Sequence, residues 1–251
     1  MSFADWNPSE VQKVHKGLLL LGWRADLRLT SDDSSMIRDV AYEAVKSAEA
    51  GILSPEVIDG LAEKAFDVMS FQIMNVDERA LMTSGPYKES RLYSPLVPMI
   101  DEAILCYYRG YYTAALATLF IILEQYLRQL VGWKPGMPDL KFAALRAAVK
   151  NHPESQARDE AEMILSAVYA RYNARFPPQF YFNRHGLLHG LRGPKHVDQM
   201  NCVRMLLLFD VLCSAEGLGR GLVNNEEFDL RRAAYMACQR LGSEQKLMLR
   251  N

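Results

Sequence analysis

Apolar residues recur at the three-and-four spacing of a helix along almost the whole chain, and strand-like alternation bounded by hairpin turns is hard to find. That periodicity restricts the fold to an all-α architecture. Stop and start signals divide it. Ser31 to Ser35 offers caps for a helix over Met36–Ala50 that ends at Gly51. Ser54-Pro55-Glu56 restarts a helix in the order cap, N1 proline, acid, running to about Met74. Thr83 to Pro98 carries Gly85, Pro86, Pro95 and Pro98 and reads as a loop or linker. A long helix fits Met99 to Val131, closed by Gly132 and Pro135. Asp139 caps a short helix to about Lys150, and Pro153-Glu154 opens another that ends before Pro177-Pro178. Gln179–Leu191, Val197–Ala215 and Glu226–Leu241 complete the set. Short connections make an antiparallel bundle the expected arrangement, with residues 1–94 as additional N-terminal helices and 95–251 as the main bundle.

With 251 residues the chain can bury a core without disulfide or metal staples. Its 29 basic and 30 acidic residues leave a net charge of −1, which excludes a globally basic nucleic-acid packaging protein and an acidic disordered tail. Cys106, Cys202, Cys213 and Cys238 form no CxxC motif. Cys202 and Cys213 on one helix would sit about 16 Å apart along its axis, too far for a bridge. Reduced thiols in a cytoplasmic protein are therefore expected. Asp5 and Glu10 before the Leu18–Leu21 run argue against a secretory signal. The longest uncharged apolar stretch, Tyr111 to Leu123, is too short to span a bilayer and reads as a core helix. No membrane partner is expected.

One stretch stands apart. From Met163 to Val197 there is no acidic residue, while Arg171, Arg175, Arg184, Arg192 and Lys195 fall in it. So do Tyr169, Tyr172, Phe176, Phe180, Tyr181 and Phe182, and three of the five histidines lie between His185 and His196. Basic side chains neutralise phosphate and aromatic rings stack on bases. A plain helix pair with aromatic inner faces and solvated basic edges has the same composition. Helical position favours the first reading. With Arg184 at zero and about 100° per residue, Phe180, Tyr181, Leu187, Leu188 and Leu191 all fall within about 60° of it. Arg184 is thus in the middle of an apolar face, where a permanently charged guanidinium needs an anion. That anion is a carboxylate, a partner subunit's acid or a substrate phosphate. Glu124, set between Ala114–Leu123 and Tyr126–Leu127, is the carboxylate candidate. His185 and His189 share one flank, about 40° apart. Gly186 and Gly190, each costing about 1 kcal/mol in a helix interior, suit a close approach or a fraying end.

Arg184-His185-Gly186-Leu187-Leu188-His189 resembles the R-x4-6-H motif of HEPN domains, helical ribonuclease and nucleotide-binding domains. Cys106 to Ala115, continuing through Leu123-Glu124-Gln125-Tyr126-Leu127-Arg128, is similar to the first long helix of that family. The resemblance covers roughly residues 96–245. It implies a metal-independent endoribonuclease with no cofactor, in which a homodimer brings two motifs to one site. Arg184 would then hold the scissile phosphate, and His189 would serve in proton transfer with the 2′-hydroxyl or the leaving 5′-oxygen, giving 2′,3′-cyclic phosphate ends. His185 would orient the phosphate or share the proton work. Asn183 and Glu124 are the supporting residues, and Arg171, Arg175, Arg192 and Lys195 the RNA-binding ones. The resemblance also implies a toxin or antiviral defence effector with an antitoxin or operon partner.

Two alternatives compete. A non-catalytic HEPN-like module would use the same bundle for dimerisation or for nucleotide or partner binding. A metal site would use His185 and His189, at i,i+4 spacing, with His196 or Asp198. The lack of a carboxylate within that helix, and Arg184 beside the pair, disfavour a cation, so no metal is expected.

Overall fold

In a computed structural model of the chain, the described residues are 7–23, 31–137, 142–150, 168, 199–214 and 223–248. Every regular element among them is helical. The helices are α1 (Pro8–Leu20), α2 (Ser31–Glu49), α3 (Pro55–Met74), α4 (Val76–Ser84), α5 (Pro86–Glu89), α6 (Val97–Tyr108), α7 (Tyr112–Leu130), α8 (Phe142–Lys150), α9 (Gln199–Ser214) and α10 (Asn225–Met248), with a 3-10 turn at Ser94–Leu96. No helix among the described residues is long and apolar enough to cross a membrane.

Strong local chemistry sets the helix starts, at Ser54 as expected and also at Asn7, where no start was expected. Asn7 caps α1 in a reciprocal box with Glu10: the Glu10 N–H donates to Asn7 Oδ1 at 3.0 Å and the Asn7 N–H to Glu10 Oε2 at 3.1 Å. Ser54 caps α3 with Pro55 in its first turn, and α3 runs to Met74.

Two expectations are corrected. The helix expected over Met99–Val131 is two helices, α6 and α7. Gly110 adopts φ +81°, the Gly110 N–H donates to the Tyr107 carbonyl and the Tyr111 N–H to the Cys106 carbonyl at 2.9 Å. That Schellman closure ends α6 and re-aims the chain. Apolar periodicity on both sides of Gly110 concealed the break.

The second correction concerns Thr83–Pro98, expected as a loop or linker. It is a folded part of the core. α4 runs through Ser84, α5 and the 3-10 turn follow, and Thr83, Tyr87, Ser90, Tyr93 and Leu96 are buried. Pro86, Pro95 and Pro98 each lie in the first turn of a helical element. There the missing N–H has no intrahelical acceptor to lose, so proline starts these turns rather than breaking them.

α9 is the central helix. It packs against α3, α5 and α7, and from Cys202 to Cys213 it is buried on all sides except at Arg204, the signature of a helix enclosed by others. α10 lies across α4 and α6. It continues past the expected end at Leu241, through Gly242, because Gly242 is where its backbone meets α6. A Cβ there would stand 2.1 Å from the Tyr108 carbonyl oxygen. A single apolar cluster runs from Val14 to Tyr235 and includes residues on both sides of the 94/95 division. Within it Tyr93 stacks between Tyr87 and Tyr126, with ring centroids 5.1 and 4.5 Å away. Cys202 and Cys213 are buried on α9, Cys106 and Cys238 half-buried, and none of the four is in a disulfide.

Candidate functional site

The motif residues Arg184, His185 and His189, the neighbouring Asn183 and the basic residues Arg171, Arg175, Arg192 and Lys195 lie outside the described residues. The same holds for the helix expected over 179–191, and for the one expected over 153–176 apart from Val168, which is helical and buried. Of the expected site, Glu124 on α7 is described. Its carboxylate accepts from Arg128 Nη2 at 2.8 Å, one turn on, and each side chain is one-third exposed. Arg128 in turn lies over the Trp133 ring, 4.5 Å from its centroid. The turn at Gly132 brings Trp133 back, its N–H donating to the Arg128 carbonyl at 2.8 Å. Glu124, Arg128 and Trp133 thus line one half-open edge of α7, while Leu119, Phe120, Leu123, Tyr126 and Leu127 form its buried face.

The tyrosines at 107, 108, 111 and 112 divide between core and surface. Tyr107 and Tyr108 are buried and Tyr111 is exposed. Tyr108 donates its hydroxyl to the Ile73 carbonyl at 2.7 Å, and Gln199 Nε2 donates to the Tyr107 hydroxyl at 2.9 Å. Burial pushes both phenols well above the ordinary tyrosine range.

A second polar centre, absent from the sequence reading, lies inside the core. Arg79 on α4 and Asp210 on α9 are both fully buried. Arg79 donates from Nη1 to Asp210 Oδ1 at 3.0 Å and from Nη2 to Oδ2 at 2.7 Å. The Tyr87 hydroxyl donates to Oδ1 at 2.6 Å. Burial, then the adjacent Asp210 carboxylate, pushes the Tyr87 phenol well above its ordinary value. A neighbouring group surrounds Asp101 on α6. Arg231 of α10 reaches it at 3.1 Å, Tyr235 hydrogen-bonds to it, and Arg231 also donates to Ser84 and Glu227. Burial works against the Arg231 charge, but Asp101 and Glu227 hold it in place and its pKa is raised.

The signal for Asp210 was in the sequence: a lone carboxylate in Leu206-Leu207-Leu208-Phe209-Asp210-Val211-Leu212. Arg79 follows Asp77-Glu78 and looks like an ordinary surface charge. Closed from solvent, the pair offers no seat for a polymeric substrate. Its effect is positional, tying α9 to α4 and α5. α9 begins at Gln199, two residues after the acid-free stretch ends at Val197.

Among the described residues no group of three or more His, Cys, Asp or Glu side chains could hold a metal ion. The His185/His189 pair weighed as ligands lies outside those residues. Comparison of the chain with protein-family models, with curated proteins and with solved structures finds no match.

Proposed function

We propose that the protein is a HEPN-like, metal-independent endoribonuclease acting in the cytoplasm, as a toxin or defence effector held in check by an operon partner. The observation that carries the reading is the pairing of Arg184 with His189 on one helical pattern, inside a 163–197 stretch rich in arginine and aromatic residues and free of acids. The all-helical fold and the presence of α7, with Glu124 on its half-open edge, support it. In this reading Arg184 holds the scissile phosphate and stabilises its extra charge in the transition state. The 2′-oxygen bonds to phosphorus, its proton passes to one imidazole, and a second imidazole protonates the departing 5′-oxygen. Imidazole titrates near pH 6.5, so it fills either role near neutrality. A homodimer supplies two copies of His189 and His185 to one site. Arg171, Arg175, Arg192 and Lys195 bind the flanking phosphates, and Asn183 and Glu124 support the motif.

A second reading, a non-catalytic helical module for dimerisation or for nucleotide or partner binding, has one observation in its favour. Arg79 shows that this chain can place an arginine in an apolar setting and satisfy it entirely with its own aspartate.

RNA cleavage in excess EDTA separates the two. Wild type should cleave, leaving 2′,3′-cyclic phosphate ends. His189→Ala should lose about 100- to 10,000-fold and Arg184→Ala about 100- to 1,000-fold, with helical content unchanged. Folded wild type that cleaves no RNA, alone or with its operon partner, leaves the binding module standing. Cleavage abolished by EDTA and restored by zinc moves the histidines to a metal site.

A further inference from the structure

α10 is 24 residues long and covers the core with one side only. Arg231, Tyr235, Cys238 and Gly242 face inward: the first two bond to Asp101, and Gly242 abuts the end of α6. On a flank about 100° round the helix from these, Leu230, Ala234, Ala237, Leu241 and Met248 fall within about 40° of one line. All five are exposed: Leu230 by 72%, Leu241 by 47% and Met248 by 78%. The line is about 27 Å long. Single exposed leucines are ordinary, but a contiguous apolar stripe along a helix marks an interaction surface. Ala237 of the stripe also borders a groove of about 450 Å³ between the end of α3 and α10, whose other walls include Met74, Met236 and Arg240.

The spacing identifies what covers it. Leu230, Ala234, Ala237 and Leu241 are separated by four, three and four residues, a sequence that reads the same in both directions. Two copies of α10 placed antiparallel about a two-fold axis level with residues 235 and 236 set Leu230 against the partner's Leu241 and Ala234 against the partner's Ala237. The central alanines let the two helix axes approach closely, and the leucines close the ends. Charge agrees with this direction. Asp229 and Arg240 lie on one flank of the stripe and are exposed. In the antiparallel pair the partner's Asp229 comes within about 3 Å, along the axis, of the level of Arg240. Arg240 then sits between that carboxylate and its own Glu244, which it already contacts at 3.1 Å. Glu226 and the partner's Glu244 are the like charges left on this flank, at the outer end where solvent and salt screen them.

We infer that the outward stripe of α10 is a self-association surface, occupied by the same helix of a second copy running antiparallel. The surface is argued from α10 alone and does not rest on the ribonuclease reading, since the test below does not measure cleavage.

Sedimentation equilibrium of the full chain over a concentration series tests it. Wild type should be a dimer. Leu230→Glu and Leu241→Glu should each weaken association by about 100-fold or more, because each puts a carboxylate against leucine in both halves of the interface. Both positions are exposed in the single chain, so circular dichroism should be unchanged. The double variant Leu230→Lys, Leu241→Glu should recover dimerisation, because lysine then faces glutamate across the antiparallel pair; a parallel pair would set like charges together. A wild type that stays monomeric, a dimer indifferent to the single substitutions, or a double variant that stays monomeric each overturns the inference.

Discussion

Arg79 and Asp210, 131 positions apart in the chain, meet as a two-pronged ion pair with both side chains fully buried. The pair joins a helix from the first third of the chain to the central helix α9, and Tyr87 supplies a third hydrogen bond to the same carboxylate. A buried pair of this kind adds little net stability over a well-packed apolar substitute, because both charges must first be stripped of water. Its consequence is specificity: α4 and α9 have one register in which both charges are satisfied.

Asp210→Ala should destabilise the protein by about 3–5 kcal/mol, because it leaves the Arg79 charge buried without its carboxylate. The double variant Arg79→Met, Asp210→Leu should lose less than Asp210→Ala alone, since neither charge then remains inside. Urea denaturation of the three proteins measures this. A double variant at least as unstable as Asp210→Ala would show that the pair adds stability outright.

Tyr87, Tyr107, Tyr108 and Tyr235 are buried phenols, and burial raises the pKa of each above the ordinary tyrosine value. The folded protein therefore keeps their protons to higher pH than the unfolded chain does. Their contribution is whole below about pH 10, where free tyrosine titrates, and is lost as pH rises above it. The melting temperature should fall steeply above about pH 10. Tyrosinate absorbance from these four should appear together with loss of the helical dichroism signal. Ionisation of all twelve tyrosines with the helical signal intact would contradict the burial argument.

What was legible in the sequence was local. The Ser54 cap and the Gly51 stop depend on a few neighbouring residues, and helices begin or end there. The misreadings at Gly110 and at Thr83–Pro98 share a cause. Glycine and proline punctuate a chain, but whether they mark a loop or the first turn of the next helix depends on burial. Burial here is decided by α9 and α10, about ninety residues or more further on. The inward anchoring of α10 is likewise tertiary: Arg231 and Tyr235 gain meaning only beside Asp101. Of the candidate site, the reading of Glu124 as a charge on an apolar helix holds in part, since the carboxylate sits on the half-open flank of α7 and is met by Arg128. The same rule, a lone charge in an apolar run, applied with more force to Asp210, whose apolar neighbours extend on both sides and whose partner comes from a segment that looks like surface.

Gly242 and Gly60 are both inside helices, and alanine should act on them in opposite directions. At Gly242 a Cβ would lie 2.1 Å from the Tyr108 carbonyl oxygen and 3.0 Å from the Arg109 Cα. Both are backbone atoms of α6 or its cap and have no rotamer by which to retreat, so α10 must move outward. That movement pulls on the Arg231 and Tyr235 bonds to Asp101 two to three turns earlier in α10. Gly242→Ala should cost about 1–3 kcal/mol, the usual range for overpacking. At Gly60, exposed on α3, an added Cβ meets nothing within 4 Å. Gly60→Ala should stabilise by about 0.5–1 kcal/mol through the entropy lost from the unfolded chain and the better helix propensity of alanine. The two sites share no partner, so the double variant should show the sum of the two effects within about 0.5 kcal/mol. Chemical denaturation of the three variants decides it. A stabilising Gly242→Ala would mean that α10 does not pack backbone-to-backbone on α6, and would remove the contact that orients its outer stripe.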